Sequence, residues 1–383
     1  MWIGAHPSAP SRVGDVDGVT LPDMITAEPT QALGEQVHAR FGGRLPFLMK
    51  LLAAKEPLSL QVHPHRERAV RRFAEQMAAG IPINARERSY PDSSHKPEMI
   101  YALTRFEGMA GFRDASKSAA ILRGLELNWV NEVADELEAS HAQAALRDVV
   151  TTWLSWPSSE VGMRLAEVRA AALVAQHRVH GASRLRRPVL LNASEVARES
   201  VRVYAATVPL VERYPQDPGV LVALLLNHVV LAPGESMFIN AGIVHAYTSG
   251  FGVEIMAASD NVVRAGLTAK HVDIPELLEV ANFSPIDPPR WAPSPTHGGI
   301  RLSPPVEEFE LLILDPQGER VTLEPGGPRL TICLRGEIEL DTEGMHATFS
   351  QGQSAFIEAY GQPLTISGHG QVAVGQTPTP RPA

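Results

Sequence analysis

A chain of 383 residues with 44% hydrophobic content is long enough for about two or three soluble globular domains. Its formal charge of −9 argues against a nucleic-acid partner, because phosphate backbones reward an excess of Lys and Arg. One cysteine, Cys333, excludes an intramolecular disulfide and a cysteine-rich zinc module, so any metal has to be held by histidine, carboxylate or amide ligands.

At the start of the chain, Met1 to Arg12 lack the basic-then-apolar layout of a signal peptide. The longest apolar run, from Val220 to Ala232, is interrupted by Asn227 and His228. It is also shorter than the roughly 20 residues a bilayer crossing requires. With a lone thiol that fits a reducing compartment, the expectation is a cytoplasmic protein without a membrane partner.

From about residue 43 to 112 the pattern predicts short strands, among them Pro46 to Leu52 and Leu58 to His63, bounded by Gly, Pro and charged residues. From Ala115 to about Arg186, Ile121, Leu122, Leu125, Val130, Val133 and Leu137 fall at helical spacing. The alanine-rich stretch that follows favours helix too. Strand character returns at about Gly219. Two later segments repeat one another: Ala232-Pro233-Gly234-Glu235-Ser236-Met237-Phe238-Ile239-Asn240-Ala241 and Ser350-Gln351-Gly352-Gln353-Ser354-Ala355-Phe356-Ile357-Glu358-Ala359. A glycine turn leading into a short apolar strand is typical of jelly-roll barrels, and its repetition implies two of them. The first copy is followed by His245 and the second by Tyr360-Gly361-Gln362, so the second barrel is expected to carry no metal. The Pro-rich stretch Asn282 to Pro305 reads as a linker, and the tail from Gln376 to Ala383 as disordered.

The expected fold class is therefore mainly β: two jelly-roll barrels with a helical insertion domain. Residues 1–112 and 216–290 make the catalytic barrel, 113–215 the insertion, 291–375 a degenerate C-terminal barrel and 376–383 a tail.

The chemistry concentrates in Pro57-Leu58-Ser59-Leu60-Gln61-Val62-His63-Pro64-His65, in His95-Lys96-Pro97-Glu98, and in the run from Asn240 to Lys270. Side chains alternate along a strand, so Ser59, Gln61, His63 and His65 share one face while Leu58, Leu60 and Val62 pack on the other. Lys96 and Glu98, and His245 and Tyr247, repeat the two-residue spacing. The expectation is that Gln61, His63, Glu98 and His245 bind one divalent ion. Zinc suits imidazole and carboxylate ligands at a catalytic site, an amide being the least common of the four. Among 14 histidines most serve surface or core hydrogen bonding, and His65 reads more simply as one of these.

These motifs resemble the type I phosphomannose isomerases. The likeness is carried by Phe41 to His65, by His95 to Leu103 and above all by Glu254-Ile255-Met256-Ala257-Ala258-Ser259-Asp260-Asn261-Val262-Val263-Arg264-Ala265-Gly266-Leu267-Thr268. The resemblance implies a mainly β fold of two cupin-like jelly-roll barrels with a helical insertion domain, metal ligands at Gln61, His63, Glu98 and His245, one Zn²⁺ per chain, an active-site arginine at Arg264, and further pocket residues at Ser59, Lys96, Tyr247, Glu254, Asp260 and Lys270. Trp2-Ile3-Gly4-Ala5-His6-Pro7-Ser8 matches a stretch that family members precede with a strand and an acidic residue. The chain starts at Met1, so that N-terminal strand is expected to be missing.

The implied reaction interconverts mannose 6-phosphate and fructose 6-phosphate through an enediol-like intermediate. It needs a Lewis acid for the substrate oxygens and a base for the proton shared by C1 and C2. Lys96 and Glu254 are the candidate bases. Arg264, a poor base because it stays protonated, is assigned to charge stabilisation, and Ser59, Tyr247, Asp260 and Lys270 to substrate binding. The expected partner is a small sugar phosphate and the chain a monomer or weak homo-oligomer. Two rivals share the residues. His63, Glu98 and His245 also form the facial triad of an iron-dependent cupin oxygenase, and a non-catalytic sugar-phosphate-binding protein would keep the site without turnover.

Overall fold

A computed structural model of the chain describes residues 1–14, 18–139, 141–185, 195–343, 345–359 and 362–378. The expected disorder of the tail falls largely at 379–383, outside the described residues, as do Tyr360 and Gly361.

The chain opens with strand β1 (Trp2–Ile3) and three short helices, α1 (Leu21–Ala27), α2 (Pro29–Leu33) and α3 (Glu35–Phe41). Thr20 and Asp23 form a capping box at the start of α1, satisfying two amides that would otherwise lack partners. Next come β2 (Phe47–Ala54), β3 (Leu60–Val62), α4 (Arg66–Ala78), β4 (Glu98–Ala102) and β5 (Phe106–Phe112). The helical region holds α5 (Ala115–Arg123), α6 (Asn128–Ala139), α7 (Ala142–Ser155), α8 (Ser158–Leu185), α9 (Glu195–Arg213) and α10 (Gly219–Leu224). The chain then returns to β6 (Leu226–Leu231), β7 (Ser236–Ile239), β8 (His245–Ala257) and β9 (Val263–Gly266), followed by α11 (Ile274–Val280) and β10 (Arg290–Trp291). The remaining strands are β11 (Ser294–Thr296), β12 (Gly299–Leu302), β13 (Glu310–Leu314), β14 (Val321–Leu323), β15 (Arg329–Thr342), β16 (Met345–Ser350), β17 (Ser354–Ile357) and β18 (Leu364–Gln376).

Among the described residues the strands form two antiparallel sheets, one of ten strands (β1–β10) and one of eight (β11–β18). The fold class is the one the repeat implies: paired cupin-like barrels with an inserted set of helices. Several local expectations differ. Residues 43–112 include α4, and α10 is helical where strand was expected. The Pro-rich stretch Asn282 to Pro305 is not a free linker, since it supplies β10 to the first sheet and β11 and β12 to the second.

The first sheet folds around β8. Its C-terminal half pairs with β2 and β4, and its N-terminal half with β3 and β5. The strand bends at Gly250, whose φ of +121° is a conformation other residues rarely adopt, and an added Cβ there would lie 2.7 Å from the Phe106 Cα. One strand thereby serves both walls of the barrel.

The two faces of β3 have separate fates. Leu60 and Val62 are buried in a core shared with α5 to α10, each such side chain contributing roughly 1.5–3 kcal/mol. Leu58, expected on the same buried face, lies before the strand and is 39% exposed. A second core joins the sheets back to back: Met99, Tyr101, Val253 and Ile255 meet Leu330, Ile332, Leu334 and Ala373. Alternation then sends Glu98 and Ile100 into the first barrel and Arg329, Thr331 and Cys333 into the second.

Candidate metal centre and active site

His63, Glu98 and His245 meet inside the first barrel, their ligand atoms all within 4.8 Å of one another. Each comes from a different piece of chain. His63 follows β3, Glu98 opens β4 and His245 opens β8. His63 and His245 are fully buried and Glu98 is 1% exposed.

Both imidazoles are oriented from behind. His63 Nδ1 lies 2.8 Å from the Asn261 carbonyl and His245 Nδ1 lies 2.8 Å from the Ile243 carbonyl. A carbonyl only accepts, so Nδ1 carries the proton in each ring and the Nε2 lone pair faces inward. Those Nε2 atoms lie 3.3 Å and 3.0 Å from the two Glu98 oxygens. Ligands about 2.1 Å from a common Zn²⁺ stand about 3 Å apart, so these separations fit one ion. Glu98 Oε1 and His245 Nε2 are buried without a hydrogen-bond partner among the described residues. Two facing lone pairs in a dry site are costly unless a cation satisfies both.

The electrostatics favour the ligand forms. Burial, and then the Lys96 ammonium, hold the His63 pKa down to about 4, leaving a neutral imidazole. Burial pushes the Glu98 carboxyl upward, but the Lys96 ammonium outweighs it, and the pKa lies well below the ordinary carboxylate value. Lys96 donates to Glu98 Oε2 at 2.8 Å and lies 3.2 Å from His63 Nε2, so the expected catalytic lysine touches the ligands themselves.

Gln61 pairs with His245 on one side and Arg264 on the other. Paired residues share a face, so the register brings the expected amide and the expected arginine to the metal side of β3. Tyr247 lies two positions beyond His245, with ring centroids 6.1 Å apart. Its hydroxyl has no hydrogen-bond partner among the described residues, and burial, followed by Glu98, raises its pKa well above the ordinary value. Ser59 is half-buried beside Leu58, whose amide donates to the Tyr247 carbonyl at 2.9 Å. Glu254 is buried and accepts from Lys50 Nζ at 2.7 Å.

Two expected residues stand apart from the cluster. Asp260 is exposed, with its carboxylate 2.9 Å from His6 Nε2. Lys270 is exposed too, and its amide donates to Thr268 Oγ1. His65 is exposed and caps α4, in line with its reading as a surface residue. Neighbouring Asn261 is fully buried and donates to the Asp92 and Ser94 carbonyls, which fixes the carbonyl that orients His63.

Two residues escaped the sequence reading. Lys50 lies mid-strand in an otherwise apolar β2, with its Nζ 4.7 Å from the Trp2 ring centroid. Burial pulls its pKa down, but Glu254 more than compensates and raises it. His6 stacks edge-on against Trp2 at 4.8 Å and holds Asp260. A lone lysine inside an apolar strand was the available signal for the first. The second had none. A cavity of about 520 Å³ is lined by His6, by Asp260 and by Pro22, Ile25 and Thr26 of α1, and by none of the metal ligands. We give the metal cluster the chemistry, because it holds the convergent donors that the cavity lacks.

The type I phosphomannose isomerase catalytic-domain model matches residues 1–115. The chain is 36% identical to the mannose-6-phosphate isomerase of Escherichia coli over 97% of its own length and 90% of the relative's. The chain belongs to the type I phosphomannose isomerase family. Membership extends beyond bacteria: the mannose-6-phosphate isomerase of Emericella nidulans is 33% identical over 94% of this chain and 81% of its own. A crystal structure of a mannose 6-phosphate isomerase bound with zinc and yttrium superposes with a TM-score of 0.85 at 34% identity, covering 98% of this chain and 90% of that one. A variant of phosphomannose isomerase from Salmonella typhimurium gives the same TM-score, identity and coverage. The shared fold spans both barrels and the helices, as the sequence resemblance implied.

Proposed function

We propose that this chain is a zinc-dependent aldose–ketose isomerase that interconverts mannose 6-phosphate and fructose 6-phosphate. The observation that carries the reading is the convergence of His63 Nε2, His245 Nε2 and Glu98 in a buried site, in a family whose relatives carry that enzymatic name. Gln61 completes the ligand set as the fourth donor. Zinc, when bound, supplies Lewis acidity toward the hydroxyl and carbonyl oxygens of the sugar.

The protein's own groups do the rest. Arg264, opposite Gln61, holds a fixed positive charge toward the oxyanion that develops as the C1–C2 proton moves. Lys96 and Glu254 are the proton carriers in this reading. Lys96 is 7% exposed and Glu254 3%, so both act in a site with little competing water. Lys50 orients Glu254 through their ion pair. Ser59, Tyr247, Asp260 and Lys270 line the approach of the substrate, with exposed Lys270 meeting the phosphate as a mobile point charge.

The register of the two sheets supports a catalytic barrel from 1–112 and 216–290, an insertion over 113–215, a degenerate barrel over 291–375 and a tail from 376. No helix among the described residues is long and apolar enough to cross a membrane. With the lone buried thiol, that supports a cytoplasmic enzyme, working as a monomer or weak homo-oligomer. The test is a coupled assay for fructose 6-phosphate formation by the zinc-loaded protein. Turnover of mannose 6-phosphate is expected. Tight binding of the sugar phosphate with no product, or oxygen consumption with bound iron, would replace the reading.

A further inference from the structure

The repeated turn-strand segments extend into the ladders around them. Gly234 and Gly352 occupy the same place in the repeat and share a positive φ, +92° and +87°. In the first barrel β4 lies between β7 and β8, with Glu98 opposite Ile239 and Met256. In the second, β15 lies between β17 and β18, with Arg329 opposite Ile357 and Gln376. Ile239 and Ile357 match in the repeat, so Arg329 stands in the second barrel where the metal-ligating Glu98 stands in the first. The neighbouring positions have become apolar. Val374 takes the place of Glu254, and Leu312, opposite Val374, takes that of Lys50. Where the first barrel has a ligating carboxylate, the second has a charged group of the opposite sign.

Arg329 is 5% exposed and, among the described residues, touches no carboxylate. Its Nε donates to Gln376 Oε1 at 2.9 Å and its Nη2 donates to the Glu324 backbone carbonyl. Both partners are neutral. Glu310 is nearby, but it receives Gln376 Nε2 at 2.6 Å, Ser303 Oγ at 2.6 Å and Arg301 at 3.1 Å. Gln376 thus stands between the carboxylate and the guanidinium, and Arg301 pairs with the carboxylate. Burial lowers the Arg329 pKa to about 10, against the pull of Glu310, so the side chain still carries its charge at neutral pH. It lines a cavity of about 640 Å³ between the second barrel and α3, alongside Gly326, Gly327 and Thr377. A Cβ on Gly326 would stand 3.2 Å from the guanidinium, and one on Gly327 would meet Thr377 Oγ1 at 2.3 Å, so the two glycines leave open the space beside the charge. Of the other charged groups lining the cavity, Arg40 and Glu307 pair with each other, and Glu35 is exposed at the rim.

We propose that Arg329 anchors a second, non-catalytic site for a small oxyanion-bearing molecule, at the position of the degenerate barrel that corresponds to the metal centre of the first. A buried guanidinium with only neutral partners is uncompensated, and its planar fork matches a phosphate or carboxylate group. The cavity is wide enough for a phosphorylated or carboxylated metabolite rather than a bare ion alone.

The test titrates zinc-loaded Arg264→Ala protein separately with inorganic phosphate and with succinate, by calorimetry and by the shift in melting temperature. The Arg264→Ala background weakens anion binding at the active site. Saturable binding of one probe or both is expected, and its identity tells a phosphate site from a carboxylate site. Arg329→Met in that background should weaken it at least about tenfold. Gln36→Trp fills the cavity from the exposed face of α3 without touching the barrel, and should weaken it likewise. No saturable binding of either probe would overturn the proposal. So would binding unchanged by Arg329→Met or, should that variant not fold, by Gln36→Trp.

Discussion

Gln61 and Arg264 face one another across the β3–β9 ladder, and on its other side Gln61 faces His245. A single residue of β3 therefore links the metal side of the barrel to the one cation expected to stabilise the reacting carbons. A shift of β3 by one position would turn Gln61 toward the helices and replace it with a valine or a leucine.

Arg264→Ala should keep the fold and the bound zinc and lose about 100-fold to 1000-fold in kcat, the range typical of removing a preorganised oxyanion stabiliser. Arg264→Lys should recover only part of the loss, because an ammonium does not reproduce the planar fork. Steady-state kinetics with zinc content measured on the same samples check both. Unchanged turnover in Arg264→Ala would remove the residue from the mechanism.

Chelation should abolish activity and stoichiometric zinc should restore it. Glu98→Gln should weaken zinc affinity at least about tenfold, since it removes the only anionic ligand of the set. Competition with a chromophoric chelator measures this directly. Full turnover in a metal-free preparation would end the ligand assignment.

The Lys50–Glu254 pair is buried on both sides, its side chains 14% and 4% exposed. Lys50→Met should leave Glu254 as an uncompensated buried carboxylate and destabilise the protein by about 3–5 kcal/mol. The double variant Lys50→Met/Glu254→Gln should be closer to wild type in stability than Lys50→Met alone, while both lose turnover. Urea unfolding and the coupled assay separate the two effects. An additive cycle would show that the two groups act independently.

His228 is 5% exposed and neither ring nitrogen has a hydrogen-bond partner among the described residues. Burial depresses its pKa to about 4 from an ordinary 6.5. Between these values the unfolded chain binds a proton that the folded protein does not, so stability falls as pH drops from 6.5 toward 4. The slope attributable to this residue is at most about 1.4 kcal/mol per pH unit. The stability of wild type relative to His228→Leu should therefore fall as pH drops below 6.5 and stay constant above about pH 7. Parallel curves throughout would mean that His228 titrates normally.

Much of the site was visible in sequence because strand alternation translates directly into faces. Gln61 turns inward beside His245 and Arg264, while Leu60 and Val62 turn outward to the helices, as their spacing requires. Glu98 was legible from Lys96 two residues earlier, and the two barrels from the repeated glycine turn. What stayed hidden was set by pairing over long sequence distances. Lys50 gains its meaning only from Glu254, 204 positions away. His6 gains its own from Asp260, 254 positions away. Arg329 is one arginine among many until the register of β15 places it opposite Ile357. The short helices α1 to α3 were missed because their apolar positions are too few to show a period, whereas in α4 the helical spacing of Val70, Phe73 and Met77 was there to be read. The strands within Asn282 to Pro305 were missed because prolines, tolerated at sheet edges, resemble those of a linker.

The most direct measurement is anomalous diffraction at the zinc edge from crystals of the zinc-loaded protein. One strong peak per chain is expected, about 2.0–2.2 Å from His63 Nε2, His245 Nε2 and a Glu98 oxygen, and absent from crystals of His63→Ala. A zinc ion bound elsewhere, or at that place with the His63→Ala crystals unchanged, would contradict the account.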